Sequence, residues 1–164
     1  MLDRAKMKFL LSELGRLIAE QGKIVEIAIY GGSALILQFD FRKASEDIDY
    51  LPIDWNDEFL LDCLAAQLAK EHGLEPGWFN DAIKVNPISD KNDESLKFYG
   101  DFPVDSPGLR VFVAKPEYLF AMKVLSMRSS LSSNDVEDLW NLWDELGIET
   151  AQQAVDLCLS LIHI

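Results

Sequence analysis

Apolar side chains recur at Met7, Leu10, Leu11, Leu14, Leu17 and Ile18 with charged residues between them. That three-and-four spacing predicts an amphipathic helix near the N-terminus, not a signal peptide. From Ile24 to Tyr30 the pattern changes to a β-rich run suited to a buried strand. Ser33 to Phe39 is then long enough for about two turns of helix. Phe41 to Ala44 links into a second strand, Glu46 to Leu51, which Pro52 ends. Trp55, Phe59, Leu60, Leu64 and Leu68 predict another amphipathic helix, closed near Gly73.

Between Leu74 and Val104 the pattern is weaker. It holds Trp78-Phe79-Asn80-Asp81, a polar loop from Ser89 to Ser95 and a strand near Leu96 to Tyr99. Asp105, Pro107 and Gly108 make a turn into an apolar strand, Leu109 to Ala114. Pro116 suits the first turn of a helix that runs to about Arg128. Asn134 and Glu137 have the spacing of a capping box for a helix that stops at Gly147, and Thr150 suits the cap of a last helix. Strands alternating with helices predict an α/β (α+β) domain with a small mixed sheet flanked by helices. The division is a core over 1–114, a C-terminal helical part over 115–158 packed on it, and a tail over 159–164. That tail, LSLIHI, resembles the translated end of a transposon adapter used in sequencing libraries, so His163 is set aside.

Charge and cysteine content narrow the picture. A net charge of −13 argues against broad electrostatic capture of nucleic acid, though not against a local basic patch, and it suits a basic partner. Cys63 and Cys158 match no metal or redox spacing and are expected as reduced, buried or half-buried thiols. Lacking a run of 18 apolar residues, the chain is expected to be cytoplasmic with no membrane partner.

The chemistry concentrates between Ile24 and Tyr50. In a strand, residues two apart share a face, so Asp47 and Asp49 are expected to project together while Ile48 enters the core. Adjacent carboxylates repel unless a cation lies between them, and an oxygen-only set suits Mg²⁺. Gly31 and Gly32 let the backbone pass close to a bound group, and the helix start that they open favours an anion. A phosphate site and a metal site are thus expected side by side.

The residues Gly31-Gly32-Ser33, Arg42, Ser45, Asp47, Ile48 and Asp49 resemble the signature of minimal nucleotidyltransferase-fold proteins of bacteria and archaea, closest to AbiEii-type toxins. The likeness extends through Trp78 to Lys84 (WFNDAIK) and through Lys115 to Leu142, which holds Pro116-Glu117, Lys123, Arg128 and the Asp135-x-x-Asp138 pair. It implies a nucleotidyltransferase-like core that transfers a nucleoside monophosphate from an NTP to an RNA or protein hydroxyl. Asp47 and Asp49 would hold Mg²⁺ and join Lys123 as the catalytic set. Gly31, Gly32, Ser33, Arg42 and Ser45 would bind the nucleotide. An antitoxin protein is the implied partner. A third acid is not evident; Asp81, Asp101 and Asp105 are candidates by position.

Plainer readings stand beside these. The glycines serve any strand-to-helix turn, and the paired acids also suit the polar face of an edge strand. Lys123 also reads as a surface lysine, and Arg42 as a partner of Asp40 or Glu46. Asp135 and Asp138 suit a helix dipole. Trp78, Trp140 and Trp143 read as core, and His72 as surface. On these readings the chain is a non-catalytic nucleotide- or partner-binding module of the same fold.

Overall fold

The computed structural model describes residues 1–81, 94–126 and 133–161. Lys84, Arg128, His163 and most of the expected polar loop lie outside the described residues. The chain forms a mixed α/β structure. It begins with a two-residue strand, β1 (Leu2–Asp3), and a long helix, α1 (Arg4–Glu20). The Asp3 carboxylate caps α1 by accepting from the Lys6 N–H at 2.8 Å. All six apolar positions that define its face are buried. Arg4 then ties α1 to the next helix, donating at 2.6 Å to the carbonyls of both Ile36 and Phe39.

The sheet is built around β2 (Val25–Ile29), in which Val25, Ile27, Ala28 and Ile29 are fully buried. Burial on both faces suits the unbroken apolar stretch Ile27 to Ile29, and the half-buried Glu26 near the strand's start is its one charged residue. After it come α2 (Gly31–Gln38), a short β3 (Ala44–Ser45) and β4 (Ile48–Pro52). A single turn of 3₁₀ helix leads into α3 (Glu58–His72), which closes at Gly73 with φ near 60°. Two residues, Phe79–Asn80, form β5, and β6 (Leu96–Phe102) and β7 (Leu109–Ala114) follow. The five-stranded order is β5-β4-β2-β7-β6. Neighbours β2 and β7 run parallel, as do β4 and β5, while β2–β4 and β6–β7 are antiparallel. Separately, β1 pairs with β3, joining Leu2 to Ser45.

Three helices complete the chain: α4 (Pro116–Ser126), α5 (Ser133–Glu145) and α6 (Ala151–Leu161). Pro116 is indeed the first residue of α4. Thr150 caps α6, accepting from the Gln153 N–H, while the Gln153 side chain accepts from the backbone N–H groups of Glu149 and Thr150. No described helix is long and apolar enough to cross a membrane.

Several expectations shift. The first residues of α2 are the glycines themselves, two positions before Ser33. The acidic strand starts at Ile48, so Asp47 precedes it. Phe59 is exposed; α3 buries Leu64 and Leu68 as expected, together with Leu61 and Ala65. Of the tryptophans expected in the core, Trp78 is buried and donates its indole N–H to the Ala65 carbonyl, but Trp140 is 63% exposed. Cys63 is exposed and Cys158 buried, both as free thiols.

Candidate functional site

The end of the sheet where β2 stops and β4 starts collects the residues singled out from sequence. The Tyr30 N–H donates to the Asp49 carbonyl at 2.9 Å, locking the start of α2 to β4. Gly31 follows with φ near 58°, a conformation that an L side chain rarely adopts. A Cβ there would also overlap the Asp49 carboxylate oxygen Oδ2. Glycine is therefore needed twice over, for backbone conformation and for the closeness of Asp49.

Ser33 is fully buried, and its hydroxyl is spent within the fold. It donates to the Tyr30 carbonyl at 2.9 Å and accepts from the Asp49 N–H at 3.3 Å. The structure thus places Ser33 as the pin between turn and strand. Ser45 is also buried, and its hydroxyl sits 3.4 Å from Asp47 Oδ1, a long and weak contact.

Asp47 and Asp49 are both half-buried, with Ile48 between them fully buried. Their proximity has an electrostatic consequence. Burial, reinforced by the Asp47 charge, pushes the Asp49 carboxyl up to about 6, while Lys123 and Arg42 pull it the other way. Asp49 therefore responds to the other three charged candidates at once. Asp47 has its own support: Asn80 Nδ2 donates to its Oδ2 at 3.1 Å and also to the Gly77 carbonyl. Parallel pairing of β4 and β5 sets Asn80 directly across from Asp49.

Both cations are brought in, by a partner not foreseen from sequence. Arg42 pairs neither with Asp40, which binds Arg4, nor with Glu46; its Nη1 donates to Asp138 Oδ2. The Arg42 guanidinium lies against Gly32, whose added Cβ would meet the guanidinium carbon at 2.7 Å. Arg42 Nε is buried and without an acceptor among the described residues. Lys123 is no surface lysine: it is 9% exposed, and its Nζ reaches Asp135 Oδ1 and Asp138 Oδ2 at 2.9 Å each. Asp138, 3% exposed, is an internal ion-pair acceptor and not a solvent-facing dipole residue. A charge buried to this extent costs several kcal/mol unless paired, which is why the three groups converge.

The third-acid candidates separate cleanly. Asp101 pairs with Arg110, which faces Glu26 at the start of β2, and Asp105 lies in the β6–β7 turn. Both belong to the opposite end of the sheet. Asp81 is exposed and lies beside the Glu58 carboxyl. Sequence reasoning missed Asn80 and the bridging role of Asp138. An amide two residues after a tryptophan carries no signal, and the Asp-x-x-Asp spacing shows nothing about a partner ninety-six residues away.

The donor set fits a divalent cation in one respect and is incomplete in another. Burial first, and the neighbouring Asp47 charge second, raise Asp49, a penalty that a cation bound by the two carboxylates would relieve. Among the described residues, however, no group of three or more His, Cys, Asp or Glu side chains is placed to hold a metal. Water and substrate phosphate would supply the remaining ligands, as is usual for Mg²⁺. Comparison with protein-family models, with curated proteins and with solved structures finds no match to this chain.

Proposed function

We propose that the protein is a Mg²⁺-dependent nucleotidyltransferase that moves a nucleoside monophosphate from an NTP to a hydroxyl of RNA or protein. The observation that carries this reading is the convergence of Asp47 and Asp49 with Arg42 and Lys123 at the Gly31-Gly32 turn. Carboxylates on one side and cations on the other are what a magnesium-bound triphosphate requires. Bound Mg²⁺ would neutralise charge on the phosphate oxygens during transfer. Asp47 and Asp49 would hold it, with Asn80 keeping Asp47 in place. Arg42, whose Nε is an unspent donor beside Gly32, would take a phosphate oxygen. Lys123 would add a second positive charge once it exchanges a carboxylate of α5 for the ligand. The acceptor hydroxyl oxygen bonds to the α-phosphorus as the bond to pyrophosphate breaks, and the hydroxyl proton leaves to solvent water.

The test is incubation with NTPs labelled at the α- or the γ-phosphate, Mg²⁺ and cell extract. Label from the α-phosphate alone should reach a macromolecule, and Asp47→Ala should abolish it. Absence of transfer with all four NTPs would contradict the reading. A toxin held silent by an antitoxin protein is the biological form we propose. Expression should then arrest growth, and Asp49→Ala should not.

A second reading is a non-catalytic nucleotide- or partner-binding module. It is favoured by the engagement of Lys123 with the acids of α5 and by the absence of a third acid at the pair among the described residues. Nucleotide binding that ignores Mg²⁺ would distinguish it.

A further inference from the structure

Away from the glycine turn, α4 packs against both α5 and α6 and leaves an apolar groove of about 330 Å³ between them. Phe120 and Val124 come from α4, Val136, Leu139, Trp140 and Trp143 from α5, and Ala154 from α6. Its walls are almost wholly nonpolar, and Trp140 at 63% and Val124 at 40% exposure stand open to solvent. A large aromatic left in water beside an apolar trough marks a surface shaped for something else.

The charges around it decide what that is. From Ser133 to Leu161 the chain carries seven carboxylates and no Lys or Arg. On α4 the one cation among the described residues is Lys123, already paired with Asp135 and Asp138. Exposed Glu137 and Asp144 lie three residues before and four after Trp140, and so flank it along the helix. We infer that this groove docks an amphipathic helix of a partner protein, with apolar anchors on one face and Lys or Arg along its flanks. Helix-in-groove recognition uses such an apolar trough, and the acidic rim selects the sign of the flanking charge. The competing occupants meet repulsion. A second copy brings a net charge of −13, and an anionic lipid surface brings more of the same sign.

The docking is independent of nucleotide chemistry and is tested without it. A labelled synthetic helix with Leu at i, i+4 and i+7 and Lys on its flanks is titrated with the full chain by fluorescence anisotropy. Controls are the same helix with Glu for Lys, and a Lys helix whose leucines are reordered to leave no apolar face. The Lys amphipathic helix should bind and both controls should not. Trp140→Ala should weaken binding at least about tenfold, since Trp is among the residues enriched at the energetic anchors of such sites. Because Trp140 is largely exposed, that variant should keep the wild-type melting curve. Glu137→Lys combined with Asp144→Lys should also weaken binding and flatten its salt dependence. Equal binding of the faceless helix would overturn the inference, as would no binding or an unchanged affinity in Trp140→Ala. Self-association through the groove, or capture by phosphatidylserine vesicles in preference to the helix, would overturn it too.

Discussion

Nζ of Lys123 lies 2.9 Å from Asp138 Oδ2, and the same oxygen accepts from Nη1 of Arg42. One carboxylate from α5 thus joins the chain before β3 to the last turn of α4. Without it, two cations would face each other in a place where Lys123 and Asp138 are almost sealed from water.

Removing Asp138 should therefore be costly. Asp138→Asn is expected to lower the unfolding free energy by about 3 kcal/mol, the range for breaking a buried pair from one side. Asp135→Asn, whose side chain is 43% exposed, should cost about 0–1 kcal/mol. Urea unfolding of both variants checks the contrast.

Asp49 predicts a pH dependence of stability. Its folded-state pKa, about 6, lies above the ordinary 3.8. Between those values the folded state holds a proton that the unfolded chain has released, so stability falls as pH rises through this window. Asp49→Asn should remove the penalty. It should match the wild type near pH 3.5 and exceed it above pH 6, by at most about 3 kcal/mol. Thermal melts across the window show whether the two curves diverge in that direction.

A cation should relieve the same penalty. Millimolar MgCl₂ at pH 7.5 is expected to raise the melting temperature of the wild type, because binding to the folded state alone stabilises it. Asp47→Asn and Asp49→Asn should lose the response. An equal rise in all three proteins would mean that the ion acts elsewhere.

Gly31 should tolerate no side chain. Gly31→Ala pays about 1–2 kcal/mol for its left-handed backbone, and the overlap with Asp49 comes on top. Gly22, which has positive φ but open space around it, provides the control: Gly22→Ala should pay the backbone cost alone. Denaturation midpoints of the pair separate strain from crowding.

Much of the fold is written in the period of the apolar residues. The α1 face, the buried β2 run, Gly73 at the end of α3 and Thr150 before α6 all follow from side-chain spacing or local turn chemistry. Phe59 and Trp140 misled because a large apolar residue near a stripe need not face the core. The site was legible only in its local part. Gly31 and Asp49 meet across one short helix and its return to the sheet, and a carboxylate pair is visible in any sequence. What Arg42 and Lys123 pair with is fixed by the docking of α5, whose packing no local pattern encodes. Asn80 reaches Asp47 only because β5 adds beside β4.

Isothermal titration calorimetry with ATP, GTP, CTP and UTP, each with and without Mg²⁺, tests the central claim most directly. At least one nucleotide should give heat of binding that depends on the ion and vanishes in Asp49→Asn. Heat that is the same without Mg²⁺, or no heat from any of the four, would contradict it.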